Sequence, residues 1–98
     1  MLFRHGDVLI QKVDQLPEDP KKIKHLILAH GEVTGHSHRI QEKDSAQLYE
    51  TPESLYLEIK SDSTVIHEEH SPITLPAGYY RVWRQREYSP EEIRIIRD

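Results

Sequence analysis

Histidine residues concentrate in two short segments of this chain, and imidazole is the side chain that both transfers protons and binds metals near neutral pH. The first segment is Gly31–Arg39, which reads GEVTGHSHR, and the second is His67–His70, which reads HEEH. The 98 residues include seven histidines, a high count for this length. We therefore predict that the chemistry of the protein lies in these two segments.

The first segment contains a His-x-His pair. Side chains alternate between the two faces of an extended strand, so His36 and His38 are predicted to project from the same face. Such a pair can ligate one metal ion, or it can act as acid and base beside a reacting phosphate. Gly31 and Gly35 would let the backbone approach a ligand closely. The alternative is a polar strand face that carries two solvated histidines.

The second segment allows two geometries. If it is extended, His67 and Glu69 share one face; if it forms a turn, His67 and His70 come together. A carboxylate beside an imidazole can fix its tautomer and raise its basicity. The alternative is an exposed acidic turn that precedes Pro72.

A third segment, Pro76–Tyr88, combines arginines with aromatic residues. Alternation places Tyr80 on one face with Arg84 and Arg86, and Trp83 on the other. Guanidinium groups suit phosphate oxygens, and tyrosine rings suit stacking on bases. The alternative is that Trp83 and one tyrosine belong to the core and that the arginines pair with carboxylates.

Short apolar runs alternate with turn residues along the chain, which predicts β-strands. These strands would position the two histidine segments and the arginine-rich segment. We predict a mostly β fold, a small barrel or sandwich that forms a single domain over residues 1–98, with Gln15–Lys22 as a loop and Ser89–Glu92 as the capped start of a short C-terminal helical turn. The predicted strands are Val8–Val13, Leu26–Ala29, Thr34–Ile40, Leu48–Tyr49, Leu55–Ile59, Thr64–His67, Ile73–Leu75 and Tyr79–Glu87.

Composition narrows the class of protein. The absence of cysteine excludes disulfides and thiolate chemistry, and the N-terminal residues contain no long apolar stretch, so we expect a cytoplasmic protein that does not enter a membrane. The net charge of −4 argues against binding to duplex DNA, whereas the arginines of the third segment indicate a small anionic ligand. The small size favours an oligomer.

These segments resemble a widespread family of short bacterial and phage proteins with the pattern GDVLI…GEVTGHxH…HEEH…LPxGxYxVxxQREYxP, and the match runs from Gly6 to Pro90. The resemblance extends to CRISPR-associated ring nucleases, which degrade cyclic oligoadenylate in type III CRISPR defence. It implies a small homodimer that cleaves without a metal or other cofactor, as a host regulator or as a phage countermeasure.

The leading hypothesis is therefore a metal-independent phosphodiesterase in which a ribose 2′-hydroxyl attacks the adjacent phosphorus of an RNA-like ligand. That reaction needs a base, an acid and cations that stabilise the developing charge. We predict His36 and His38 as the acid–base pair, with His67 or His70 as an alternative acid. The residues predicted to bind the substrate are Arg39, Glu69, Tyr80, Arg84 and Arg86.

Two other functions are consistent with the same residues. His36, His38 and Glu42 are similar to the first metal motif of cupins, which predicts a module that binds a divalent metal, with His70 as a further ligand. In the second cupin motif, however, Arg81 stands where a metal-binding histidine is expected. The third hypothesis is a protein that binds a nucleotide signal without cleaving it.

Overall fold

In the part of the chain that the structure describes, the fold consists of ten short strands joined by turns and loops. The computed structural model describes residues 1–85. The strands are β1 (Leu2–His5), β2 (Val8–Val13), β3 (Lys21–Ile23), β4 (Ile27–His30), β5 (Ser37–Ile40), β6 (Ala46–Glu50), β7 (Leu55–Ile59), β8 (Ser63–His67), β9 (His70–Leu75) and β10 (Gly78–Arg84).

The strands form two antiparallel sheets. The first has six strands in the order β1-β2-β10-β7-β6-β3, and the second has four strands in the order β4-β5-β8-β9. Among residues 1–85, neither strand order closes on itself, so each sheet has two edge strands in this part of the chain. The mostly β prediction is therefore confirmed, and the arrangement is that of two sheets and not of a closed barrel.

One apolar core lies between the sheets, and residues of both sheets contribute to it. Val8 and Ile10 come from β2, Tyr80 and Val82 from β10, and Val65 from β8; none of the five is more than 2% exposed. Buried Tyr80 and Val82 alternate with partly exposed residues along β10, as a strand with one core-facing side requires. The core thus fixes which side chains of each strand remain available to a site.

The strand predicted at Thr34–Ile40 is shorter in the structure, because residues 34 and 35 lie in a turn and β5 begins at Ser37. Two further strands were not predicted. The sequence analysis did not predict β1, and β3 begins at Lys21, inside the segment that was predicted to be a loop. Both are short edge strands with little apolar alternation, and pairing with β2 and β6 stabilises them. The predicted helical turn at Ser89–Glu92 lies outside the described residues. Among residues 1–85, no helix is long and apolar enough to cross a membrane.

The edges of the two sheets approach each other where β1 and β9 meet. The turn Gly6–Asp7 joins β1 to β2, and the turn Glu68–Glu69 joins β8 to β9, with His67 paired to His70. The pairing of β8 with β9 shifts between Val65 and His67, and Pro72 lies in the edge strand β9, the position in a sheet that tolerates proline. Both turns and the start of β5 lie at the same end of the molecule.

Candidate functional site

Five imidazole rings gather at this end of the molecule. The ring centroids of His38 and His67 are 4.4 Å apart, those of His67 and His70 are 4.7 Å apart, and those of His38 and His70 are 5.4 Å apart. His36 lies 5.7 Å from His67, and His5 lies 5.0 Å from His38. The structure therefore brings together all four histidines that the sequence analysis selected, and it adds His5.

A hydrogen-bonded relay through His5 fixes the tautomer of His38. Nε2 of His5 is 2.9 Å from the carbonyl oxygen of Ser71, which can only accept, so this nitrogen carries a proton. Nδ1 of a neutral His5 is then an acceptor, and it lies 2.9 Å from Nδ1 of His38. His38 therefore donates through Nδ1, and the lone pair of its Nε2 is available to a metal or a proton.

Burial keeps this relay neutral. His5 and His38 are each 2% exposed. Burial, more than the neighbouring imidazoles, lowers the pKa of His38 to about 4, and burial also lowers the pKa of His5. Two neutral imidazoles give the pattern of one donor and one acceptor that the relay requires.

Asp7 faces the free nitrogen of His38. Its Oδ1 is 3.8 Å from Nε2 of His38, which is longer than a hydrogen bond. Its Oδ2 accepts hydrogen bonds from Nε and from one terminal nitrogen of Arg84, at 3.1 and 2.9 Å. The other terminal nitrogen of Arg84 donates to the carbonyl oxygen of His30 at 3.0 Å. Arg84 thus positions the Asp7 carboxylate beside the cluster.

The two glutamates of the HEEH turn attach it to the GHSHR segment. Oε1 of Glu68 accepts the backbone N–H of Ser37 at 3.2 Å, and Oε2 is 3.0 Å from a guanidinium nitrogen of Arg39. Glu69 extends in the other direction, with its Oε2 3.0 Å from Nδ1 of His36. These contacts hold His67 and His70 against His36 and His38 across the two strands.

The ring nitrogens of His67 have the reverse hydrogen-bonding roles of those of His38: Nδ1 of His38 donates, whereas Nδ1 of His67 accepts. The backbone N–H of Glu69 donates to Nδ1 of His67 at 2.9 Å. A neutral His67 therefore carries its proton on Nε2. Side by side, His38 offers a lone pair and His67 offers an N–H group.

Two glycines allow this dense packing. A Cβ atom on Gly6 would lie 2.9 Å from both Cε1 of His38 and Nε2 of His70, and Gly6 has a φ of +64°. A Cβ atom on Gly31 would lie 3.0 Å from Nε2 of His67. Glycine is therefore required at position 6 for the imidazoles to approach the backbone this closely, and a side chain at position 31 would make His67 shift by a few tenths of an ångström.

The cluster opens to the surface through a pocket of about 310 Å³. This volume suits a small ligand. The residues that line it are Asp7, Gly31, Glu32, Val33, His36, His38, His67, Glu69, His70 and Arg84.

Several residues with predicted roles lie elsewhere. Tyr80, predicted to contact a base, is 0% exposed and its hydroxyl donates to the carbonyl oxygen of Pro76. Glu42, predicted in the cupin-like metal set, binds the backbone N–H and the hydroxyl of Thr64 at 2.7 and 2.8 Å. Arg39 pairs with Glu68 and lines a different cavity. Arg86 lies outside the described residues.

The sequence analysis did not select His5 or Asp7. Both flank Gly6, and a His-Gly-Asp sequence between two apolar runs is a turn signal that carries two polar side chains. That signal was available, but it does not indicate that the β1–β2 turn approaches strands 30 and 60 residues further along the chain. Long-range packing places these residues in the site.

Comparison with known proteins supports a family relationship only. Residues 4–85 match the model of a family described as Domain of unknown function (DUF8820), and this stretch includes both histidine segments. No curated protein and no solved structure matches the chain. These comparisons give no support to the resemblance to ring nucleases.

Proposed function

The chain belongs to the DUF8820 family, and we propose that its histidine cluster binds one divalent transition metal ion. The observation that carries this proposal is the approach of three ligand atoms. One nitrogen of each of His38, His67 and His70 lies within 4.8 Å of the others. A zinc-class ion with metal–nitrogen bonds of about 2.05 Å needs its ligand nitrogens about 3.3 Å apart, so the three side chains would have to rotate toward one another to hold it.

The surroundings of these three histidines also suit a metal. Metal-bound histidines usually donate their second ring N–H to a protein acceptor, and His38 does so to His5, which in turn donates to Ser71. Asp7 is a carboxylate placed 3.8 Å from Nε2 of His38, at a distance that leaves space for an ion or a water molecule. Strands β5, β8 and β9 hold the three ligands on a rigid scaffold.

Three imidazole ligands would leave a coordination position open toward the pocket, which is typical of catalytic and not of structural zinc sites. An ion in such a position activates a water molecule or polarises a carbonyl or phosphoryl oxygen. The chain would contribute Asp7 and Glu69 at the pocket, where either carboxylate could hold or accept a proton. We propose hydrolysis of a small substrate as the reaction class.

Metal analysis of the purified protein tests this proposal, provided that the protein carries no polyhistidine tag. We expect one zinc-class ion per chain, removed by EDTA and restored by titration of Zn²⁺ in a calorimeter. H38A and H70A should each weaken Zn²⁺ affinity by at least about 100-fold, because each removes a ligand. H25A and H30A are matched controls, since they remove histidines that lie outside the cluster.

Two results would contradict the metal proposal. One is a wild-type protein that binds no Zn²⁺, Co²⁺ or Ni²⁺ at micromolar concentrations. The other is equal loss of affinity in the cluster variants and in the controls, which would indicate nonspecific binding to surface imidazoles.

A second candidate is the metal-independent phosphodiesterase of the leading sequence hypothesis, and the polarity of two rings favours it. Nε2 of His38 carries a lone pair, while the Glu69 amide on Nδ1 of His67 leaves the proton of that ring on Nε2. Ligation of a metal through Nε2 of His67 would require this amide bond to be given up. One ring that accepts a proton beside one that donates suits attack by a ribose 2′-hydroxyl.

Cleavage of RNA dinucleotides and of cyclic oligoadenylates in EDTA tests the second candidate. We expect 2′,3′-cyclic phosphate products, no cleavage of the corresponding DNA, and a loss of about 10²–10⁴-fold in rate for H38A and for H67A. Full activity in EDTA would favour this candidate over the metal centre. A rate that EDTA abolishes and Zn²⁺ restores would contradict it.

A further inference from the structure

A second cavity, separate from the histidine pocket, lies where the edge strands β3 and β4 of the two sheets part. It has a volume of about 750 Å³, within the usual range for sites that bind small molecules. Among the residues that the structure describes, none lines both this cavity and the histidine pocket. The chain passes from one sheet to the other here, through Lys24, His25 and Leu26.

The cavity has an apolar interior. Ile40 and Ala46 are buried and form part of the main core, while Ile23, Leu26, Ile27 and Ile66 are partly exposed. Partly exposed aliphatic side chains gathered along one concave surface gain free energy when an apolar group covers them. The wall therefore suits an alkyl chain.

The rim of the same cavity is cationic. Lys22, Lys24 and Lys43 are exposed along it, and no ion pair within residues 1–85 engages them. In the part of the chain that the structure describes, no aspartate or glutamate lines the cavity. The whole chain has a net charge of −4, so the charge at this opening is opposite in sign to that of the chain as a whole.

We propose that this cationic groove binds a single-chain amphiphilic anion, whose alkyl chain lies along the isoleucines and whose anionic head lies among the three lysines. An apolar ligand without charge would form no ion pair with the lysines. A polar anion such as free phosphate would leave the apolar wall exposed to water. The proposal does not depend on the function of the histidine pocket.

Calorimetric titration of the full chain with sodium dodecanoate, below its micelle concentration, tests this proposal. We expect saturable binding of one molecule per chain, with chemical-shift changes at Ala46 and Ile66 in a parallel NMR titration. Shortening the probe from twelve to ten and eight carbons should weaken binding about fourfold per methylene, as burial of each methylene requires. Dodecyltrimethylammonium, which has the same chain and the opposite charge, should bind at least about tenfold more weakly.

Variants at exposed lysines locate the site without disturbing the core. K24Q/K43Q should weaken dodecanoate binding about tenfold or more, whereas K21Q/K60Q makes the same change of charge at lysines outside the groove and should bind as the wild type does. Equal weakening in both variants, independence of chain length, or no binding by the wild type would overturn the proposal. So would binding to anionic lipid vesicles with no binding of free dodecanoate, because the site would then recognise a membrane surface.

Discussion

His5 and His38 share a hydrogen bond of 2.9 Å between their Nδ1 atoms, although 33 positions separate them in the chain. The bond joins the edge of one sheet to an inner strand of the other. It also determines which nitrogen of His38 carries the proton, because the other ring nitrogen of His5 must donate to Ser71 and its Nδ1 must therefore accept. His5, which does not line the pocket, thereby determines whether the pocket-facing nitrogen of His38 donates or accepts a hydrogen bond.

We predict that H5A weakens Zn²⁺ affinity by about 10–100-fold while one ion still binds per chain, since loss of a group that orients a ligand has effects of this size. Calorimetric titration of Zn²⁺ measures the affinity. Long-range ¹H–¹⁵N NMR spectra of the imidazoles report the tautomer directly, and the Nδ1–H form of His38 should dominate in the metal-free wild type and lose its dominance in H5A. Unchanged ¹⁵N shifts for His38 would contradict the relay, whatever the change in stability.

A second prediction concerns Gly6, whose hydrogens face two imidazoles. We expect G6A to reduce Zn²⁺ affinity at least about tenfold, because a methyl group 2.9 Å from His38 and His70 must displace both rings. G35A is the matched control: Gly35 also has a positive φ, +88°, but a Cβ atom there meets nothing within 4 Å.

Both glycine variants should lose about 1 kcal/mol of unfolding free energy from backbone strain, which urea titration measures. Only G6A should lose metal affinity as well. If G35A binds Zn²⁺ as weakly as G6A does, the effect belongs to strain and not to contact with the imidazoles.

Local periodicity predicted much of the β structure, and long-range packing decided the rest. Strand Leu55–Ile59 follows from alternation and was predicted with its observed bounds. Alternation also placed Tyr80 and Arg84 on one face of β10. It could not show that this face packs into the core, because the choice depends on which side the second sheet covers; Tyr80 was therefore assigned to a ligand that it cannot reach.

The same distinction applies to the candidate site. The turn alternative for HEEH predicted that His67 and His70 meet, because four residues span a hairpin, and they do pair across β8 and β9. The approach of His67 to His38 depends on pairing of β5 with β8, which no local pattern specifies. The contribution of His5 depends further on contact between two different sheets, so it was beyond the reach of spacing arguments.

A third prediction concerns Glu68, which joins the HEEH turn to β5. We expect E68A to lower the thermal midpoint by a few degrees, because the backbone N–H of Ser37 and the guanidinium of Arg39 both lose an acceptor. Metal affinity should also fall, since His67 and His70 flank the loosened turn. Differential scanning calorimetry and Zn²⁺ titration measure the two effects.

Glu53 provides the control for this variant, because it is an exposed glutamate in a turn remote from the histidines. E53A removes the same charge and should leave both the midpoint and the Zn²⁺ affinity unchanged. Equal midpoints for E68A and E53A would show that the turn is held by its strand pairing alone.

A fourth prediction separates Glu42 from the metal site to which the sequence pattern assigned it. Hydrogen bonds from the backbone N–H and the hydroxyl of Thr64 lower the pKa of the Glu42 carboxyl below its ordinary value of 4.5. A lowered pKa in the folded state means that the unfolded chain binds the proton more readily. The carboxylate therefore stabilises the fold at neutral pH, and this contribution is lost as the pH falls below about 4.5.

We expect E42A to reduce the free energy of unfolding by about 1 kcal/mol at pH 7, because the backbone N–H of Thr64 loses its acceptor. The difference between wild type and variant should shrink as the pH falls below about 4.5 and through the lowered pKa of Glu42 in the folded state, because the wild-type carboxylate then also becomes protonated. Urea titrations at several pH values measure this difference, and comparison with the variant cancels the titration of other carboxylates. Zn²⁺ affinity should stay the same in E42A, since this carboxylate binds Thr64 and not the histidine cluster; a large loss of affinity would restore Glu42 to the ligand set.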